Sequence, residues 1–326
     1  MRLLWRAIPL LTILLLALAS VEVFIGPGDL SPGDVITALT HPDSPNGAIV
    51  WYLRIPRTLY GICVGVGLAI CGLALQGLFR NPLAEPFTLG ISGGAALGAV
   101  LVITFGTRFE SVWISLASFL GALVVCLIVY ILAGRTLFSP TALILGGVMI
   151  GFFAQSAVLL ALLLAPSQRA HGAMMWLMGD IGSAPRELLW VTFCLSGVGI
   201  FFLVRQANGL NLLSMGEEKA SSLGQNIPRL RRSVFIWSSL VTGACVAAVG
   251  IVGFVGLIIP NVIRRLIGGD HRILFPLSGL AGASFVLLCD ALGRSIMSPV
   301  ELPLGIGTGF VGSLTFLWIF VSRKRI

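Results

Sequence analysis

Long apolar runs with few or no charges recur along the whole chain, separated by polar links. In order they cover residues 7–25, 58–79, 87–107, 111–134, 141–165, 188–204, 233–249, 251–264, 273–297 and 304–322. A helix needs roughly 20 apolar residues to cross the hydrocarbon core. The pattern therefore predicts an all-α polytopic membrane protein with about ten spanning helices. The stretch 233–263 carries no charge for 31 residues. As one helix it would rise about 46 Å at 1.5 Å per residue, too long for a core of about 30 Å. It also holds Gly250, Gly253, Gly256 and Pro260, so a break near Gly250 followed by a short helix is expected.

Ten spans put both termini on one side. With the termini inside, only Arg54, Arg57, Arg108, Arg169, Arg186 and Arg294 of the 21 basic residues fall outside. Cytoplasmic loops carry the excess of Lys and Arg, so the termini are expected to be cytoplasmic. The net charge of +8 then belongs to the inner loops rather than to a nucleic-acid surface. Most loop acids, among them Asp29, Asp34, Asp43, Glu110, Asp180 and Glu187, fall outside. Three links are longer than turns: 26–57 and 166–187 outside, and 205–232 inside. The first contains the turn-rich string GPGDLSPGD; the second contains AHGAMMWLMGDIG, amphipathic enough for a short interfacial helix.

Composition agrees. The chain is 57% hydrophobic and 10% charged, against about 25% charged in soluble domains, and its mean hydropathy is +1.01. Residues 1–326 read as one transmembrane domain. The start, MRLLWRAIPLLTILLLALAS, resembles a signal peptide, and Ala17 and Ala19 mimic a cleavage site. The apolar run continues to Ile25, long enough to span, so it is read as a retained first span, with cleavage as the alternative. The six cysteines all fall in apolar runs without a C-x-x-C pair, which reads as packing rather than disulfide or metal chemistry.

There is no G-x-x-x-x-G-K-[ST] loop to cradle a nucleotide, and the only lysines are Lys219 and Lys324. No zinc helix or nucleophile elbow is present, and His41, His171 and His271 are scattered over loops. Glu22 and Asp290 are the candidate intramembrane acids; both lie near the outer end of a span, and Arg294 sits at i, i+4 from Asp290, where a local ion pair is the plain reading. Ion-coupled transport usually needs more buried charge than this, so the chain reads as a transporter part without its own energy source. A partner's docking point is expected in NLLSMGEEKASSLG (211–224). Gly216 precedes two acids suited to a helix N-terminus, Gly224 suits the stop, and Leu212, Leu213, Met215, Ala220 and Leu223 offer an apolar face. A connecting helix on the lipid surface is the alternative. A faint internal echo pairs GLALQGLFRNPL (72–83) with GIVGFVGLIIPN (250–261), as interrupted segments of transporter repeats do.

Five segments, LRIPRTL (53–59), LQGLFRNPLAEPFTLGISGGA (75–95), MGEEKASSLG (215–224), GFVGLIIPNVIRRLIGGDHRILFPLSGLAGA (253–283) and ELPLGIGTG (301–309), resemble the FecCD-type permeases of ATP-driven importers for iron-siderophores, haem and cobalamin. The resemblance implies a type II ABC importer permease architecture in an inner (plasma) membrane of a bacterium or archaeon. It implies a homodimer around a central pathway, two ATPase subunits inside, a periplasmic or lipid-anchored binding protein outside, and no cofactor. Arg54, Arg57 and Arg294 match arginines that receive acids of the binding protein; snorkelling to lipid phosphate is the alternative. Met215, Gly216, Glu217, Glu218, Leu223 and Gly224 match the coupling helix. Arg80 and Glu85 lie in the signature FRNPLAEP, where Arg80 has inner-leaflet phosphate, Glu85 or a partner as possible contacts, and a rigid turn is the alternative. The pathway is expected along the fifth span with Gln155 and Ser156, the AHGAMMWLMGDIG segment with Met178, and the tenth span; an interhelical hydrogen bond is the alternative for Gln155. His171, Met174, Met175 and Met178 read as packing rather than haem ligation. The chain departs from the family at Asn261, where many members carry His, and at Leu314 in GSLTF, where proline is usual. An iron chelate is the leading cargo, with haem or cobalamin next, and no residue selects among them. The rival class is an ion-coupled secondary transporter of a bulky solute.

Overall fold

The computed structural model describes residues 2–26, 30–106, 111–296 and 301–322. Asp29, Arg108, Glu110, Arg323, Lys324 and Arg325 lie outside the described residues.

Helices α1 (Arg2–Phe24) and α2 (Pro32–Thr40) come first. Then α3 (Gly47–Ile49) runs through a π turn, Val50–Arg54, into α4 (Ile55–Phe79). A 3-10 turn, Pro86–Leu89, precedes α5 (Ile91–Phe105), followed by α6 (Ser111–Gly134) and α7 (Pro140–Leu164). Next are α8 (Ser167–Leu177), α9 (Leu189–Val204), α10 (Ala207–Ser214) and α11 (Glu217–Ser222). The chain ends with α12 (Ile227–Val249), α13 (Val255–Ile267), α14 (His271–Ile296) and α15 (Leu304–Ser322).

Ten of these, α1, α4, α5, α6, α7, α9, α12, α13, α14 and α15, coincide with the ten apolar runs. Among the described residues seven helical stretches are long and apolar enough to cross a membrane. Of the others, α5 and α13 have 15 and 13 residues and reach only about 20 Å at 1.5 Å per residue. Each is preceded by non-α backbone, the 3-10 turn before α5 and the segment Ile251–Phe254 before α13. Irregular backbone is tolerated there because it is enclosed by protein; Val252 is 1% exposed.

The centre is α4, which packs on α14, α12 and α13. In its apolar window 83% of residues are buried, against 6% for α1 and 22% for α7. A helix apolar on all sides belongs inside, and small residues let backbones touch. A Cβ on Gly65 would lie 2.5 Å from the Gly282 carbonyl of α14. Around this centre, α5, α6 and α7 form one group, α9 leans on α12, and α1 lies along α14.

The expected break falls at Gly250, with φ +75°, a left-handed conformation that suits glycine. Here three backbones meet. The Asp180 amide donates to the Val249 carbonyl (2.8 Å), and the Gly305 amide to the Met178 carbonyl (3.0 Å). A Cβ on Gly250, Gly179 or Gly305 would come 2.3 Å from the carbonyl of Trp176, Ile251 or Met178 respectively. The end of α8, the break and the start of α15 thus form one seam.

Three readings need correction. The stretch 26–57, read as a long loop, contains α2 and the helical lead-in to α4. Its start is a capping box: Ser31 Oγ accepts from the Asp34 amide and the Ser31 amide donates to the Asp34 carboxylate. The inner link holds two helices, α10 and α11, because the chain turns at Gly216 (φ +112°). Finally, α12 begins at Ile227 and not at 233: Asn226 caps it by accepting from the Arg229 amide (2.9 Å), so its first turns carry the arginines that interrupt the apolar run. The link 166–187, where a short helix is expected, holds α8.

The two halves of the sequence echo lie against each other. A Cβ on Gly72 would sit 2.0 Å from the Gly256 carbonyl. Gln76 Nε2 donates to the carbonyls of Gly256 (3.0 Å) and Leu257 (3.2 Å). They differ in form: one is the end of the 25-residue α4, the other a break leading into α13.

Candidate functional site

The singled-out residues gather at opposite ends of the bundle. At one end, the π turn delivers Arg54 and the first turn of α4 delivers Arg57. Arg54 is 3% exposed and donates to the Val23, Phe24 and Gly26 carbonyls, closing the C-terminus of α1 as a cation there should. Arg57 forks Asp290 of α14 through Nε (2.9 Å) and Nη2 (3.0 Å), and its Nη1 reaches Glu301 (2.8 Å). Arg294 pairs with Glu22 of α1 and lies 3.3 Å from Asp290, so the expected i, i+4 contact is present within a larger network.

Three arginines and three acids thus tie α1, α4, α14 and the approach to α15 together. Charges removed from water need partners: Arg57 and Arg294 pair with acids of the chain, and Arg54 bonds to backbone carbonyls. All three arginines turn into the protein and bond within the chain. Glu301 has the most accessible side chain, 36% exposed, against 11% for Arg57 and 3% for Arg294. A cavity of about 280 Å³ opens beside Arg54, Arg57, Asp180, Arg294 and Glu301. Next to it, a cavity of about 340 Å³ is lined by Met175, Trp176, Asp180, Ser183 and Glu301.

At the other end, α11 stands between two left-handed glycines, Gly216 and Gly224 (φ +84°). The expected apolar face divides. Leu213 and Ala220 are fully buried and Leu212 is half-buried, whereas Met215 (57%) and Leu223 (61%) project. Glu217 is paired with Arg231 of α12, and Glu218 and Lys219 are exposed. A six-residue helix is marginal by itself; burial of Ala220 and the Glu217–Arg231 pair hold this one in place.

The FRNPLAEP turn lies at the same end. Arg80 ends α4 in a left-handed conformation (φ 49°) and is exposed. No ion pair joins it to Glu85 among the described residues. Asn81 Oδ1 accepts from the Leu83 amide (2.9 Å), and Asn261 Nδ2 donates to the Pro82 carbonyl (2.8 Å). Asn261, a departure from the family pattern, is therefore a clamp on this turn. Burial pushes the half-buried Glu85 carboxyl up to about 7.

On α7, Gln155 and Ser156 are exposed beside Phe152 (67%) and Phe153 (72%). Gln155 makes no hydrogen bond among the described residues, so the interhelical alternative is not realised. Met178 is 37% exposed at the end of α8, on the seam with α15. The six cysteines are free.

Sequence reasoning missed Gln76, Asn208, Asn211 and Asp270 and gave no role to Asn261, all of which join elements at the α11 end. Their one signal was an amide or acid at the edge of an apolar run.

Residues 11–322 match the model of the FecCD transport family. The chain belongs to the FecCD transport family. It is 35% identical over 325 residues to the vitamin B12 import system permease protein BtuC of Escherichia coli O17:K52:H18, covering 99% of this chain and 95% of the relative. It is 34% identical over 326 residues to the Fe(3+)-citrate import system permease protein YfmE of Bacillus subtilis, covering 98% and 96%. Among solved structures, one described as a metal-chelate type ABC transporter in an inward-facing conformation matches with TM-score 0.85 and 30% identity, covering 99% of this chain and all of that one. PsaBC of Streptococcus pneumoniae, solved with a Fab, shares the fold at TM-score 0.59 and 19% identity. As a FecCD-family member the chain is an ABC importer permease, and the ion-coupled alternative is not favoured.

Proposed function

We propose that this permease imports a bulky metal chelate or corrinoid of the kind its relatives carry, with an iron chelate as leading cargo. Two copies enclose the pathway, with Gln155, Ser156 and Met178 on its wall. Separate ATPases dock at the α11 end, on the cytoplasmic side with both termini, through Met215, Gly216, Glu217, Glu218, Leu223 and Gly224, flanked by Arg80 and Glu85. A substrate-binding protein docks at the end holding Arg54, Arg57 and Arg294, with Arg57 the most reachable arginine. There, charge pairs set register more than affinity.

The observation that carries this reading is the build of α11. Two large apolar side chains, Met215 before it and Leu223 after it, are exposed at the ends of a short helix anchored by Ala220 and by the Glu217–Arg231 pair, in a chain without a nucleotide-binding loop. That is a surface prepared for a partner which supplies the energy.

The test is uptake in vesicles of the permease with its ATPase and binding protein, using labelled ferric siderophore, haem and cobalamin in parallel. Concentrative, vanadate-sensitive uptake of one of them is expected. Uphill transport by the permease alone, abolished by a proton uncoupler, would overturn the reading.

A further inference from the structure

The short helix α10 precedes α11 and grips the start of α14. Asn211 Nδ2 donates to the Asp270 carboxylate (2.7 Å), and Asn211 Oδ1 accepts from the His271 amide (2.9 Å) and lies 2.8 Å from His271 Nδ1. One turn earlier, Asn208 Oδ1 accepts from Arg272 Nε (2.5 Å). Two amides at i, i+3 on one helix face thus hold three consecutive residues of another element. Asp270 in turn caps α14 by accepting from the Arg272 amide (3.0 Å). His271 is 3% exposed and wedges against α4, where a Cβ on Gly77 would come 2.5 Å from its Nε2.

From this grip α14, 26 residues long, carries Asp290 and Arg294 of the ionic network about 29 and 35 Å further along at 1.5 Å per residue. Pro276 interrupts the helix near its start, but Leu274, Phe275 and Leu277 are fully buried, so packing clamps that turn. Elements of this kind, rigid and fastened at both ends, can carry coupling between distant sites.

We infer that Asn208 and Asn211 are positioning residues that transmit movement of α11 through α14 to the arginine network at the far end. The inference rests on the reading that α11 receives the ATPase. It gives the chain a defined mechanical link between its two docking ends, and it places that link on residues that touch neither cargo nor nucleotide.

The test uses the complete transporter with its ATPase and binding protein. Asn211→Asp sets two carboxylates against each other, and Asn211→Asp combined with Asp270→Asn restores one donor against one acceptor. The readouts are ATPase co-purification, melting temperature, ATP hydrolysis without binding protein, and its stimulation by loaded binding protein. Asn211→Asp and the pair Asn208→Ala with Asn211→Ala are expected to leave the first three near wild type. Stimulation should fall about 5-fold or more, the lower range of allosteric coupling, and the exchanged pair should recover it. Unchanged stimulation in the single variant, or a loss that only follows a lower melting temperature and is not recovered by the exchange, overturns the inference. If Met215→Glu with Leu223→Glu leaves ATPase co-purification intact, the docking reading fails instead. If the asparagine variants fail to assemble, the exchanged pair decides: it must assemble with normal stimulation, and failure to do so counts against the inference.

Discussion

Gly72 of α4 lies against the carbonyl of Gly256 at the start of α13, so closely that a methyl group on Gly72 would sit 2.0 Å from that oxygen. The contact brings the FRNPLAEP turn and the broken helix together and leaves Gln76 in reach of the same carbonyl. Gly72→Ala must push the two backbones apart. Overpacking of this kind typically costs about 1–3 kcal/mol. The melting temperature in detergent should drop, and Gln76 should lose its bonds. Gly146→Ala on α7, with nothing within 4 Å of the added methyl, is the control and should be neutral or better. Equal behaviour of the two variants would contradict the close approach.

Arg294 and Glu22 form a buried pair, 3% and 1% exposed. Arg294→Met leaves Glu22 without its partner inside the protein, a loss that typically costs about 3–5 kcal/mol. Folded yield and thermal stability should both fall. Adding Glu22→Leu removes the stranded charge and should restore much of the loss, while Asp290 keeps Arg57. A double variant no better than the single one would show that the pair is not what fastens α1.

Met215 and Leu223 flank α11 and are exposed. Changing both to Glu should reduce ATPase co-purification strongly while leaving the melting temperature of the free permease unchanged, since neither side chain is buried. Glu217→Gln should act differently. It weakens the tie to Arg231 and loosens α11, so ATPase still binds but hydrolysis separates from uptake. Normal uptake per ATP in that variant would remove Glu217 from the coupling surface.

Glu85 carries a pH signature. An acid whose pKa rises on folding holds its proton more tightly in the folded state. Between the ordinary 4.5 and about 7, the folded chain therefore binds more protons than the unfolded one, and stability falls as pH rises through that window. Glu85→Gln removes this loss. The variant's melting temperature should match wild type near pH 4, below the window, and exceed it at pH 8. A difference independent of pH would mean that Glu85 titrates normally.

Much of this protein is legible in its residues because hydropathy and glycine act locally. The ten apolar runs became ten helices, and the stop at Gly250 fell where a 31-residue run could not fit a bilayer. Gly216 and Gly224 bounded α11 as their positions suggested. What escaped was set by distant partners. Arg54 reads as an exposed loop cation until α1 presents its carbonyls, and Arg57 until Asp290, 233 positions away, arrives beside it. α2 was hidden by composition: proline and glycine around Ser31 look like a turn, yet Ser31 and Asp34 are a helix start. Asn208 and Asn211 gave no signal beyond polarity, because their meaning lies in an element about 60 residues further on.

At the junction of Gly179, Gly250 and Gly305 three segments of the chain meet backbone to backbone. With backbones this close and tied by two amide–carbonyl bonds, the end of α8, the broken helix and the start of α15 are fastened like leaves of one hinged panel, and an opening along this line is expected to carry them together.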